Sequence, residues 1–135
     1  MCIRDRYALG RLSLSDNDFD NAARWYDRIR TIVDKKKGHA LLDSANLNYA
    51  DALMNLGIDR LNSGEAEGAR KKFQEAKTVL AEVTQKEDFD ARDSALFMDA
   101  SCSMYLADNA QAAAQFQTVA DILSLIHISE PTRPY

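Results

Sequence analysis

The sequence predicts an all-α fold, a stack of antiparallel helical hairpins forming an α-solenoid of about three long repeats and six helices. Three observations carry that expectation. Apolar residues recur at steps of three and four nearly everywhere, and no stretch alternates as a strand does. Proline is absent between Tyr7 and Ile122, where alanine is abundant, and proline alone costs about 3 kcal/mol in a helix interior. Short polar turns also recur between long periodic stretches, which makes successive helices antiparallel neighbours.

Taken in order, the helices are expected near residues 7–15, 19–36, 40–62, 65–85, 90–106 and 109–122. Ser15-Asp16-Asn17-Asp18 offers side-chain acceptors to the open N–H groups of the second helix. That helix carries the stripe Phe19, Ala22, Tyr26, Ile29 and Val33, and Lys35-Lys36-Lys37-Gly38 supplies cations and a glycine at its expected end. Leu42, Ala45, Tyr49, Ala52 and Leu56 form the third stripe, and Asn62-Ser63-Gly64 closes it with a tight turn. Ala69, Phe73, Ala76, Leu80 and Val83 line the fourth helix, which ends in the polar link Gln85-Lys86-Glu87-Asp88. Between the last two helices, Ala107-Asp108-Asn109 is a turn in which Asp108 and Gln111 suit a capping box.

The two ends read differently. Met1–Arg6 can be written in codons as ATG TGT ATA AGA GAC AGN, which resembles the transposase mosaic end used as a sequencing adapter. Leu123–Arg133 can be written as the reverse complement of the same element running into a second adapter. Residues 1–6 and 123–135 are therefore expected to be adapter-derived, leaving 7–122 as a helical repeat domain cut from a longer chain. Removing the ends takes away both prolines, Cys2 and His127, and leaves the balance, −4 for the whole chain, slightly more acidic still.

An acidic chain does not suit nucleic acid, which requires a clustered basic face to displace counterions. No apolar run approaches the length of a membrane span. One remaining cysteine, Cys102, cannot form an internal disulfide, so nothing requires an oxidising compartment. With one histidine and one cysteine left, no zinc site and no cofactor is expected. His39 reads as a capping or surface residue and Cys102 as a small buried hydrophobe. Asp16, Asp18 and Asp20 alternate like the opening of a calcium loop. Asn21 stands where that loop needs glycine and Asp27 where it needs glutamate, so helix capping explains them better. Gly64 and Gly68 lack the Lys-Ser or Lys-Thr of a phosphate loop. No catalytic constellation emerges, and no enzymatic activity is expected.

One pattern recurs. Leu56-Gly57 followed by Gly64, Ala69, Phe73 and Ala76 resembles the core signature of the tetratricopeptide repeat, and Leu9-Gly10, Phe19, Ala22 and Tyr26 share its offsets. Ala100, Ala107, Ala112 and Phe116 form a weaker third copy. Small residues at Gly10, Gly57 and Ala100 are expected to let the paired helix approach, with Ala22, Ala69 and Ala112 facing them. The aromatic residue one turn later is expected to fill the gap to the next hairpin. Tyr26 and Phe73 lie 47 residues apart and Phe73 and Phe116 lie 43 apart, against roughly 34 in the standard repeat. The copies thus resemble the longer repeats of kinesin light chains and some bacterial regulators, without the usual helix-ending proline.

The resemblance implies a protein or peptide partner held in a groove lined by the first helix of each hairpin. Arg11 and Ser15 would contribute from the first hairpin, and Asp51, Asn55, Ile58 and Asn62 from the second. The third would supply Ser94, Phe97, Met98, Ser101 and Tyr105. Phe97, Met98 and Tyr105 would give apolar contact, and Asn55 and Asn62 would bond a peptide backbone. Phe97 and Met98 read equally well as core or as the cover for a following hairpin. A sensory segment of a larger bacterial histidine kinase or transcription regulator is the alternative expectation.

Overall fold

The computed structural model describes residues 2–33, 38–106 and 117–125. Five helices are bounded among them: α1 (Ile3–Ser15), α2 (Phe19–Ile32), α3 (Leu42–Asn62), α4 (Ala66–Thr84) and α5 (Arg92–Tyr105). Residues 117–125 are helical as well, and no strand occurs among the described residues.

Local chemistry explains the ends. Asp18 caps α2 by accepting from the backbone N–H of Asn21, while Asn17 takes the left-handed conformation (φ 58°) that turns the chain back. The carboxylate that a calcium loop would use is thus spent on the helix. Gly64 (φ 80°) makes the corresponding turn between α3 and α4. His39 does act at a helix start, its Nδ1 accepting from Leu41 N–H at 3.0 Å. Asp108 and Gln111 lie outside the described residues.

Two boundaries of α1–α5 differ from expectation by more than two residues. Helix α2 ends at Ile32, with Val33 extended (ψ 127°), rather than running to residue 36. Thr31, Ile32 and Val33 form a β-branched run whose side chains lose rotamer freedom in a helix, so the chain leaves the helix there. At the other end, α1 begins at Ile3, where the Cys2 sulfur accepts from Asp5 N–H.

Side-chain pairs establish the antiparallel register. Between α4 and α5, Thr84 meets Arg92, Lys77 meets Asp99 and Phe73 meets Tyr105, one partner descending as the other climbs. Each helix packs on the next. In addition α1 reaches α3 and α3 reaches α5, whereas the backbones of α2 and α4 do not meet. The odd-numbered helices therefore form a closer, inner layer, and α2 and α4 form a splayed outer one.

The core is two clusters that share α3. Tyr26 and Ile29 of α2 and Val33 just past its end pack with Ala45 and Ala52 of α3, and Leu53 packs with Phe73, Leu80, Val83 and Cys102 of α4 and α5. Tyr49 touches both clusters. Helix α3 is therefore buried on two sides, and Ala50, Leu53 and Met54 form a second stripe beside the expected one.

The glycines act more directly than the sequence suggests. A Cβ on Gly57 would stand 2.8 Å from the Phe73 ring, and one on Gly10 would stand 2.7 Å from the Tyr26 ring. In both of these hairpins the aromatic ring covers the glycine itself; Ala112 and Phe116 of the third copy lie outside the described residues. Phe73 also stacks on Tyr105 of the next hairpin, with centroids 4.8 Å apart and planes 4° apart, so it seals both contacts. Tyr26 instead meets Tyr7 of its own hairpin edge-on at 5.8 Å.

A candidate interaction surface on the inner layer

The residues expected to line a groove fall into three places. Phe97 and Met98, adjacent on α5, and Ser101 one turn later border an apolar recess of about 330 Å³. Met54 of α3 and Val119 and Leu123 of the last helical stretch also line it. Ser94 and Asp93 sit at its rim. Phe97 is 55% exposed, an unusual state for a large aromatic ring, while Met98 is half-buried against the second core cluster. The hydroxyl of Ser101 donates to the Phe97 carbonyl.

A second group lies between α1 and α3. Asn48 Nδ2 donates to the Tyr7 hydroxyl at 3.1 Å, and Asn55 Nδ2 donates to both the carbonyl and the carboxylate of Asp51. Asn55 was expected to bond a peptide backbone, but its amide is already engaged by its own helix. Burial raises the Asp51 carboxyl above the ordinary carboxylate range, and the Asn55 bond offsets part of that. Arg11 stands exposed on α1, where the Ser15 hydroxyl donates to its carbonyl.

Tyr105 does not join Phe97 and Met98. Its ring lies on Phe73, and with Leu61, Arg70 and Leu106 it borders a separate recess between hairpins. Ile58 packs half-buried against the second cluster, and Asn62 is exposed at the end of α3.

On the outer layer, Arg30 ties three helices together. Its Nε donates to Asn46 at 2.7 Å, its guanidinium lies 4.9 Å over the Tyr49 ring, and it stands 3.6 Å from both Asp27 and Glu82. It borders a cleft of about 700 Å³ between α2 and α4. Because Arg30 already faces two carboxylates, that cleft offers an incoming anion little.

Two sets of polar groups serve the fold. Lys77 reaches Asp99 at 2.9 Å and Ser103 at 2.5 Å, a half-buried network joining α4 to α5 that borders none of these recesses. Cys102 is fully buried, and burial, then the Asp99 carboxylate, push its thiol up to about 12. Among the described residues, no group of three His, Cys, Asp or Glu side chains could hold a metal ion. Also among them, no helix is long and apolar enough to cross a membrane.

Met54, Tyr7 and Asp93 were not singled out from the sequence, although a signal for two of them exists. Tyr7, Met54 and Phe97 each stand three residues before the small residue of their hairpin, Gly10, Gly57 or Ala100. Searches of protein-family models, curated proteins and solved structures returned no match to this chain.

Proposed function

We propose that this chain is a protein-interaction module, a tetratricopeptide-like scaffold that holds a peptide or partner segment along α1, α3 and α5 and catalyses nothing itself. The observation that carries this reading is the layering. Since α1 approaches α3 and α3 approaches α5, while α2 and α4 do not meet, these three alternate helices form the inner layer that would carry the binding surface. Tyr7, Arg11, Met54, Asp51 and Phe97 belong to those helices and keep polar or apolar surface available there. Stacked-hairpin proteins bind extended or helical segments across such a surface because each repeat adds one more set of contacts. The paired glycine and aromatic residues, Gly10 with Tyr26 and Gly57 with Phe73, support the repeat reading because two separate hairpins solve one packing problem in one way.

The test is selection of short peptides from a display library, followed by amide chemical-shift mapping of the enriched sequences on the labelled chain. Shifts concentrated on α1, α3 and α5 are expected. Shifts confined to α2 and α4, or no enrichment against a control surface, would overturn the reading.

A further inference from the structure

We propose that the recess beside Phe97 seats one bulky apolar side chain of a basic peptide, with a lysine or arginine next to that anchor paired to Asp93. This rests on the peptide-scaffold reading and narrows it to one subsite and one class of partner.

The apolar half of the argument is geometric. Met54, Phe97 and Met98 present methyl, thioether and aromatic surface to a space of about 330 Å³, at the low end of cavities that hold a ligand. That suits one large side chain. Both methionines can adjust to an anchor's shape, because an unbranched thioether adopts many rotamers. Val119 and Leu123 complete the lining, and because Leu123 falls in the tail expected to be adapter-derived, Met54, Phe97 and Met98 are the anchor's contacts.

The polar half is electrostatic. Glu87, Asp88, Asp90 and Asp93 crowd the link before α5 and its first turn, with Lys86 just before them and Arg92 among them. Lys86 pairs with Asp43 at 2.6 Å, and Arg92, whose Nε donates to the Thr84 carbonyl at 2.8 Å, keeps its charge, so four carboxylates still outnumber the cations beside them. Asp93 borders the recess, and its carboxylate accepts from the N–H of its neighbour Ser94 at 2.9 Å. The rim is therefore an acidic end beside an apolar seat, and the whole chain carries −4. A cationic peptide is steered toward that potential and an anionic one is repelled. A second copy of this chain is the poorer occupant, since it would bring a net negative surface to an acidic rim.

Fluorescence anisotropy with three labelled probes tests this. One is a glycine-lysine peptide bearing a central leucine, the second replaces its lysines with glutamates, and the third replaces its leucine with serine. The lysine-leucine probe is expected to bind, the serine probe about tenfold more weakly, and the glutamate probe not at all. Phe97→Ala, at an exposed position that leaves the fold intact by circular dichroism, should weaken the first probe several-fold. Asp93→Asn should also weaken it and should flatten its salt dependence. Equal binding of lysine and glutamate probes, or affinity unmoved by Phe97→Ala, would overturn the subsite. So would sedimentation showing a dimer that Phe97→Ala dissolves, because the face would then belong to a second copy. If display-selected peptides bind α1 and α3 while ignoring Phe97, the subsite fails and the scaffold reading stands. If no peptide of either charge binds, both fail.

Discussion

Replacing Tyr26 with phenylalanine should stabilise this protein, the opposite of what most core substitutions do. The Tyr26 ring is fully buried over Gly10, and its hydroxyl has no hydrogen-bond partner of good geometry among the described residues. The nearby Asn48 amide donates to Tyr7, and its influence on the Tyr26 hydroxyl offsets only part of the cost of burial. A buried hydroxyl without a partner forfeits its bond to water, worth about 1–3 kcal/mol. Removing one oxygen returns most of that and leaves only a small void. The expected gain is about 1 kcal/mol, or roughly 3–5 °C in Tm for a chain of this size. The second hairpin already has the proposed arrangement, since Phe73 covers Gly57 without a hydroxyl. A second readout follows from titration. Burial, then the neighbouring Tyr7, raise the Tyr26 hydroxyl well above its ordinary value near 10. A raised pKa means the folded state holds the proton more tightly. That stability is complete below pH 10 and is lost as pH climbs beyond it. Thermal melts of both proteins between pH 7 and 12, followed by circular dichroism, should show the wild-type chain losing more stability on the alkaline side than Tyr26→Phe. A variant destabilised by about 1 kcal/mol or more at pH 7, with an unchanged alkaline slope, would refute the reasoning.

The remaining predictions concern packing and charge. Gly57→Ala should destabilise by about 1–3 kcal/mol in denaturant titration, because a Cβ 2.8 Å from the Phe73 ring forces the ring to move; that outweighs the gain of up to about 1 kcal/mol in helix propensity. Phe73→Ala should cost about 3–5 kcal/mol and abolish the cooperative melt, since the ring seals both its own hairpin and the contact to Tyr105. Asp51→Asn should raise Tm slightly at pH 7. Burial lifts the Asp51 carboxyl, so its ionised form penalises the fold above the carboxylate range, and the advantage of the variant should fade below pH 3.8, where Asp51 is protonated in both states. Of the two thiols, exposed Cys2 should react with a disulfide reagent at once, and buried Cys102 only at the rate of unfolding, measured by absorbance with and without denaturant.

Sequence alone determined the fold class and most of the helices, because both depend on local quantities. Apolar steps of three and four, missing proline, the Asp18 cap and the Gly64 turn all act within a few residues of where they stand. The hairpin order followed, since short turns between long helices leave successive helices only one way to pack. Packing across sequence distance was less legible. The stripe on α3 read from one side as Ala45, Tyr49 and Ala52, whereas tertiary burial on two sides also enlisted Ala50 and Leu53. Tyr105 read as a groove residue from its offset, yet the stack on Phe73 takes it to the seam between hairpins, since a flat apolar ring gains more by covering another than by facing water. Asn55 carried the right chemistry for a peptide backbone, but Asp51 one turn earlier already uses its amide. Met54 and Asp93 became visible as neighbours of Phe97 only once α3 and α5 were side by side. One-dimensional spacing fixes which face of a helix a side chain occupies; only the tertiary structure decides what stands opposite, because that depends on helices separated by many residues.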